Sequence, residues 1–153
     1  MSASPPPIQY TRATDVDPRQ IIDFWKRNGI TVSPTDNPEE IANAARLNPQ
    51  LFIVCLTPGE KTGGGMRIIG TVWGTFDGRR GYVAHLAVDR PFRGQGLGSM
   101  LMDRVEKELS KMGCYKVHLF VERHNAAVGD FYRGIGYGER SDITVFSKTL
   151  RGE

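Results

Sequence analysis

Three glycines alternate in the run Arg93-Gly94-Gln95-Gly96-Leu97-Gly98-Ser99. It lies between a strand-like segment ending Leu86-Ala87-Val88 and a helical pattern carried by Leu97, Leu101, Val105, Leu109 and Met112. Glycine has no side chain, so the chain can turn tightly there and gather several backbone N–H groups in one concavity. The helix start behind the loop adds partial positive charge, which makes a seat for phosphate oxygens. Arg93 adds a full charge at the rim. A strand that feeds a phosphate seat and a helix already implies a mixed α/β chain.

Two common phosphate binders fail on spacing. A dinucleotide fingerprint needs its third glycine three residues after the second, where Ser99 stands. A P-loop ends in Gly-Lys-Ser/Thr, and this loop does not. The spacing that fits is Arg/Gln-x-x-Gly-x-Gly/Ala after a strand, and the stretch from Leu86 through Pro91, Phe92 and Arg93 to Ser99 resembles the GNAT acetyltransferase superfamily. Downstream, Asn125-x5-Phe131-Tyr132-x3-Gly136-Tyr137 resembles it too. The turn from Asp77 to Gly81 is similar to that of the YpeA-type bacterial group within it.

The resemblance implies an α/β (α+β) GNAT fold: a mixed, mostly antiparallel sheet of six to seven strands, flanked by about four helices. The sheet is expected to split between the cofactor strand and the next one. It also implies an N-acetyltransferase that moves an acetyl group from acetyl-CoA, as cosubstrate, directly to a primary amine. Cofactor contacts fall on Leu86, Ala87, Val88, Arg93, Gly94, Gln95, Gly96, Leu97, Gly98, Ser99 and Asn125. Backbone groups of Leu86 and Val88 would pair with the pantetheine arm, Gly94 to Ser99 would hold the pyrophosphate, and Tyr132 would protonate the departing sulfur. Residue pattern alone makes Tyr132 a core aromatic, since Val128 and Ile135 share its face, and makes Asn125 a helix N-cap.

The general base is where the chain departs from some relatives. They carry Glu or His two or four residues before the leucine matching Leu86, and here those positions are Ala84 and Tyr82. Amino-terminal acetylating relatives carry Glu five residues before the asparagine, where Phe120 stands. Water relayed through Tyr82, Asp77 or Glu122 is left as the route. That gap keeps a second reading open, an acyl-CoA-binding regulatory module without turnover.

Composition narrows the rest. The chain has 153 residues, room for one domain, expected over 8–150 behind a disordered lead-in of 1–7. Twenty Lys and Arg against 17 Asp and Glu suit an anionic cosubstrate, without the aromatic-interleaved basic patch of a nucleic-acid binder. No apolar run approaches the ~18 residues of a membrane span, and no secretion signal is visible. The expected setting is the cytoplasm, as monomer or homodimer. His85, His118 and His124 lie at no metal-ligand spacing, so no metal is expected. Cys55 and Cys114 read as small buried side chains.

Elements follow from local signals. Gln9 to Ala13 reads as a strand. Asp17-Pro18 and Asn37-Pro38 open two helices, with Ile21, Ile22, Phe24 and Trp25 on the face of one and Ile41, Ala44, Ala45 and Leu47 on the other. Leu51–Leu56, Arg67–Phe76 and Gly81–Val88 read as strands, with Thr57–Gly65 as a mobile hairpin loop. Val117, Leu119 and Val121 mark a strand, Asn125 a helix start, and Ile143–Leu150 a closing strand.

Overall fold

The computed structural model describes residues 7–59 and 65–152. It divides the chain into two compact units, Met1–Leu119 and Phe120–Glu153. The first holds β1 (Gln9–Arg12), α1 (Pro18–Arg27), α2 (Pro38–Leu47), β2 (Phe52–Pro58), β3 (Met66–Phe76), β4 (Arg80–Val88), α3 (Leu97–Lys111) and β5 (Lys116–Leu119). The second holds α4 (Ala126–Gly134).

Helix starts obey their sequence signals. Asp17 accepts from the Arg19 N–H at 2.9 Å, and Pro18 fills the first helical position of α1, where no amide hydrogen is needed. Asn37 accepts from the Glu40 N–H at 3.0 Å, while its own amide donates to the Glu40 carboxylate at 2.7 Å. The expected capping box is therefore closed through the asparagine side chain.

Five strands form one sheet in chain order, antiparallel except for the parallel pair β4 and β5. One face of the sheet carries Phe52, Val54 and Ala87, which share a buried core with Ile21, Phe24 and Trp25 of α1 and Ile41 and Ala45 of α2. Trp25, Phe52 and Trp73 stack there, Phe52 and Trp73 at 4.8 Å and 10°. The other face receives α3. Gly74 makes that close approach possible, because a Cβ on it would stand 2.7 Å from Val105 Cγ2.

β4 outruns β5. Their ladder covers only Arg80 to Val83 against Lys116 to Leu119, so from Ala84 onward that edge of β4 has no strand beside it among the described residues. The expected split is present within the first unit.

Several expectations need correction. The described sheet has five strands rather than six or seven. Residues 143–150 form no strand, and Ile143, Val145, Phe146 and Leu150 are all exposed. Alternation suggests a strand, but a strand needs a partner's backbone groups, and among the described residues none pairs with these. β5 stops at Leu119, short of Val121. Leu47 is 80% exposed, in the last turn of α2, where the apolar face has run out of core to cover. Cys114 is only half-buried; its Sγ donates to the Lys116 carbonyl. Thr57 and Pro58 extend β2, pairing with Arg67 and Met66, so the hairpin loop is shorter than expected and 60–64 lie outside the described residues. Most of the 1–7 lead-in lies outside them too.

Candidate active site

The glycine loop follows a single turn of 3-10 helix, Arg90–Phe92. Gly94 and Gly96 sit at φ +77° and +84°, the left-handed region where a side chain costs roughly 1–2 kcal/mol. A Cβ on either would meet nothing within 4 Å, so the space over the loop is open. Gly96 is the N-cap of α3 and has no side chain to satisfy the helix. The first intrahelical bond there runs from Met100 N to Gly96 O, at 3.1 Å. The amides of Leu97, Gly98 and Ser99 precede it and remain available to an acceptor outside the helix. A helix of 15 residues backs them with its dipole. Such a loop offers a cluster of N–H donors that could hold phosphate oxygens without any lysine.

The loop is braced from beneath by a buried carboxylate that sequence reasoning did not single out. Asp89, 3% exposed, closes β4. It accepts from Arg67 of β3 at 2.9 and 2.6 Å, from the Asn28 amide at 3.2 Å and from Arg27 of α1 at 3.5 Å. Burial works against its charge, but the bonds from Arg67, Asn28 and Arg27 outweigh it and hold the carboxyl below its ordinary pKa. Asn28 passes the connection on. Its Oδ1 accepts from Arg93 at 3.4 Å, and Arg93 Nε donates to the Val88 carbonyl at 2.8 Å. Arg93 is thus tied to the end of β4, with its charge at the start of the loop.

β4 also carries a bulge. The two-residue step from Thr71 to Trp73 faces the three-residue step from Ala87 to Ala84. His85 takes the left-handed conformation at φ +50°, alone among the described non-glycine residues. The Trp25 indole donates to Thr71 Oγ1 at 3.0 Å, and that hydroxyl donates to the His85 carbonyl at 2.8 Å, which pins the bulge to α1. Leu86, the next residue, lies on the stretch of β4 without a β5 neighbour.

In the second unit, α4 presents Tyr132 half-buried, edge-on to Phe131 at 5.1 Å and to Tyr137 at 5.8 Å. Burial pushes its phenol up to about 12. No described residue hydrogen-bonds to the hydroxyl. Asn125 occupies the N-cap of α4, but its side chain makes no capping bond and is exposed. The structural role expected for that side chain is therefore not taken up.

The sequence profile of the acetyltransferase (GNAT) family matches residues 19–137, which span the glycine loop and the asparagine–tyrosine helix. This chain belongs to the GNAT acetyltransferase family. It is 36% identical over 131 residues to an acetyltransferase of Pectobacterium atrosepticum, covering 85% of this chain and 86% of that protein. Among solved structures it is similar to Ard1 of Thermoplasma volcanium, with TM-score 0.69, 22% identity and coverage of 88% of this chain and 84% of that one. It also resembles an aminoglycoside N-acetyltransferase in complex with CoA, with TM-score 0.67, 11% identity and coverage of 97% and 99%. The two structural likenesses speak to the fold alone.

Tyr82, Asp77 and Glu122, the three residues expected to relay a proton through water, differ sharply. The Asp77 carboxylate accepts the amides of Arg79 and Arg80 at 2.8 and 2.7 Å, bonds that lower its pKa and leave a poor base. Glu122 pairs with His124 at 3.1 Å on the surface of the second unit. Tyr82 is 40% exposed, with its ring 5.9 Å from that of His118. Among the described residues no cluster of three His, Cys, Asp or Glu could hold a metal, and no helix is long and apolar enough to cross a membrane.

Proposed function

We propose that this family member is an acetyl-CoA-dependent N-acetyltransferase acting on a primary amine. The observation that carries the reading is the glycine loop: two left-handed glycines leading into α3, three first-turn amides with no partner among the described residues, and Arg93 at the rim. That donor set suits a pyrophosphate better than a single carboxylate, because several N–H groups converge on one open space.

Acetyl-CoA supplies the activated acetyl group. In this assignment Gly94, Gln95, Gly96, Leu97, Gly98 and Ser99 hold its phosphates, and Arg93 adds charge. The unpartnered edge of β4 at Leu86, Ala87 and Val88 takes the pantetheine arm as an added strand. The Val88 carbonyl retains a second lone pair beyond its bond from Arg93. Asn125, free of capping duty, contacts the cosubstrate. Tyr132 gives its proton to the leaving sulfur in this assignment; burial that lifts its phenol to about 12 keeps it protonated at any working pH, and makes the transfer to a thiolate an uphill one. The fold over 8–150 acts as one catalytic domain, in the cytoplasm, as monomer or homodimer and without a metal.

The test is release of free thiol from acetyl-CoA across a panel of N-terminal peptides, polyamines and amino sugars. Amine-dependent thiol release is the expected outcome. Acetyl-CoA binding with no thiol release for any amine would favour the acyl-CoA-binding module instead.

A further inference from the structure

His85 is absent from every role above, yet it alone among the described non-glycine residues takes a positive φ, and it stands beside Leu86, one of the residues assigned to the pantetheine arm. The bulge places it on the face of β4 that packs toward α1. Its imidazole lies 4.3 Å from Trp25 and 5.8 Å from Trp73, ring centre to ring centre. It is half-buried, and neither ring nitrogen bonds a described residue. A non-glycine residue held at positive φ by a two-step hydrogen-bond relay, with no described partner on its titratable ring, is a candidate for a role beyond packing.

We propose that His85 is the general base of the acetyl transfer, receiving protons from the acceptor amine. The proposal rests on the N-acetyltransferase reading and fills the place that Ala84 and Tyr82 leave vacant in the strand. The bulge achieves this by inserting a residue: His85 stands next to Leu86 on the open edge of β4, where the pantetheine arm, whose far end carries the thioester, is assigned.

The step balances. An alkylammonium acceptor loses one proton to a ring nitrogen of His85, which passes it to water. The freed lone pair forms the N–C bond while the C–S bond breaks. A second proton leaves nitrogen by the same route, and sulfur gains one from the acid. Two protons leave nitrogen, sulfur takes up one, and one stays in solvent.

The surroundings favour a neutral imidazole at neutral pH. Desolvation lowers its pKa from the ordinary 6.5, and Asp36, in the segment joining α1 and α2, opposes this only in part. From α1 and β3 it is the uncharged indoles of Trp25 and Trp73 that face it. A base must be unprotonated, so activity is lost as pH falls through this depressed pKa.

His85→Asn tests the assignment, because asparagine tolerates the left-handed conformation and carries no titrating nitrogen. With the best amine of the panel, kcat is expected to fall ~10²-fold at pH 7 and the acidic limb of the pH–rate profile to disappear. Acetyl-CoA affinity by calorimetry should hold. On the wild-type protein, NMR titration of the His85 ring should give a pKa below 6.5 that coincides with the acidic limb of kcat/KM. Undiminished turnover in His85→Asn, or a ring pKa that does not track the limb, overturns the base assignment alone. Loss of acetyl-CoA binding together with activity also overturns it, since His85 would then be holding the strand. A wild-type protein that binds acetyl-CoA but acetylates nothing in the panel overturns the transferase reading, and this assignment with it.

Discussion

Removing one oxygen from Tyr132 separates its two roles. Phenylalanine keeps the ring against Phe131 and Tyr137 but has no proton to give. If sulfur expulsion limits the rate, Tyr132→Phe lowers kcat ~10²-fold while acetyl-CoA affinity in calorimetry barely moves. Full turnover with weakened binding would make it a packing residue. At this scale the sequence was partly legible. Gly94 and Gly96 were readable because glycine takes the left-handed conformation they hold without the cost a side chain brings, so their spacing is tied to geometry. His85 was not. Val83 lies opposite Gly74, whose face meets α3, and Ala87 lies opposite Thr71, whose hydroxyl meets α1. Val83 and Ala87 are thus buried on opposite faces of β4, and small apolar residues suit either phase, so alternation cannot reveal an inserted residue.

At the scale of elements, Asp89 ties the end of β4 to Arg67 of β3 and Arg27 of α1. Neither partner could be foreseen, because the pairing depends on sheet register and not on local pattern. Asp89→Asn removes the charge and leaves two arginines facing an amide. Those arginines are about two-fifths exposed, so we expect a loss of about 2 kcal/mol at pH 7, below the full cost of breaking a buried pair. The sign with pH follows from the depressed pKa. The stabilisation is present in full above the ordinary carboxylate range and is lost as pH falls through the lower folded-state value. Denaturant melts of wild type and variant should therefore converge below about pH 4. Parallel curves down to pH 2 would remove Asp89 from this role. Helix starts were legible because Asp17-Pro18 and Asn37-Pro38 act within one turn. The closing strand over 143–150 was misread because strand formation requires a distant partner.

Across the whole molecule, the excess of basic over acidic residues suits an anionic cosubstrate, but charge alone specifies no site. Family membership was legible from Leu86 to Ser99 and from Asn125 to Tyr137, the stretches where backbone geometry and chemistry coincide. Acceptor choice was not, since it depends on surfaces that no local motif encodes. The glycine loop lies wholly in the first unit, as does the edge of β4 that leads to it. The phosphate grip can therefore be tested without reference to Tyr132. Valine at position 96 would put a branched side chain into the open space over the loop and strain a φ of +84°. Isothermal titration of Gly96→Val with CoA, with its melting temperature measured alongside, addresses the central claim most directly. The account predicts that CoA binding disappears while the protein still melts cooperatively, within several degrees of wild type. Wild-type CoA affinity in the folded variant would contradict it.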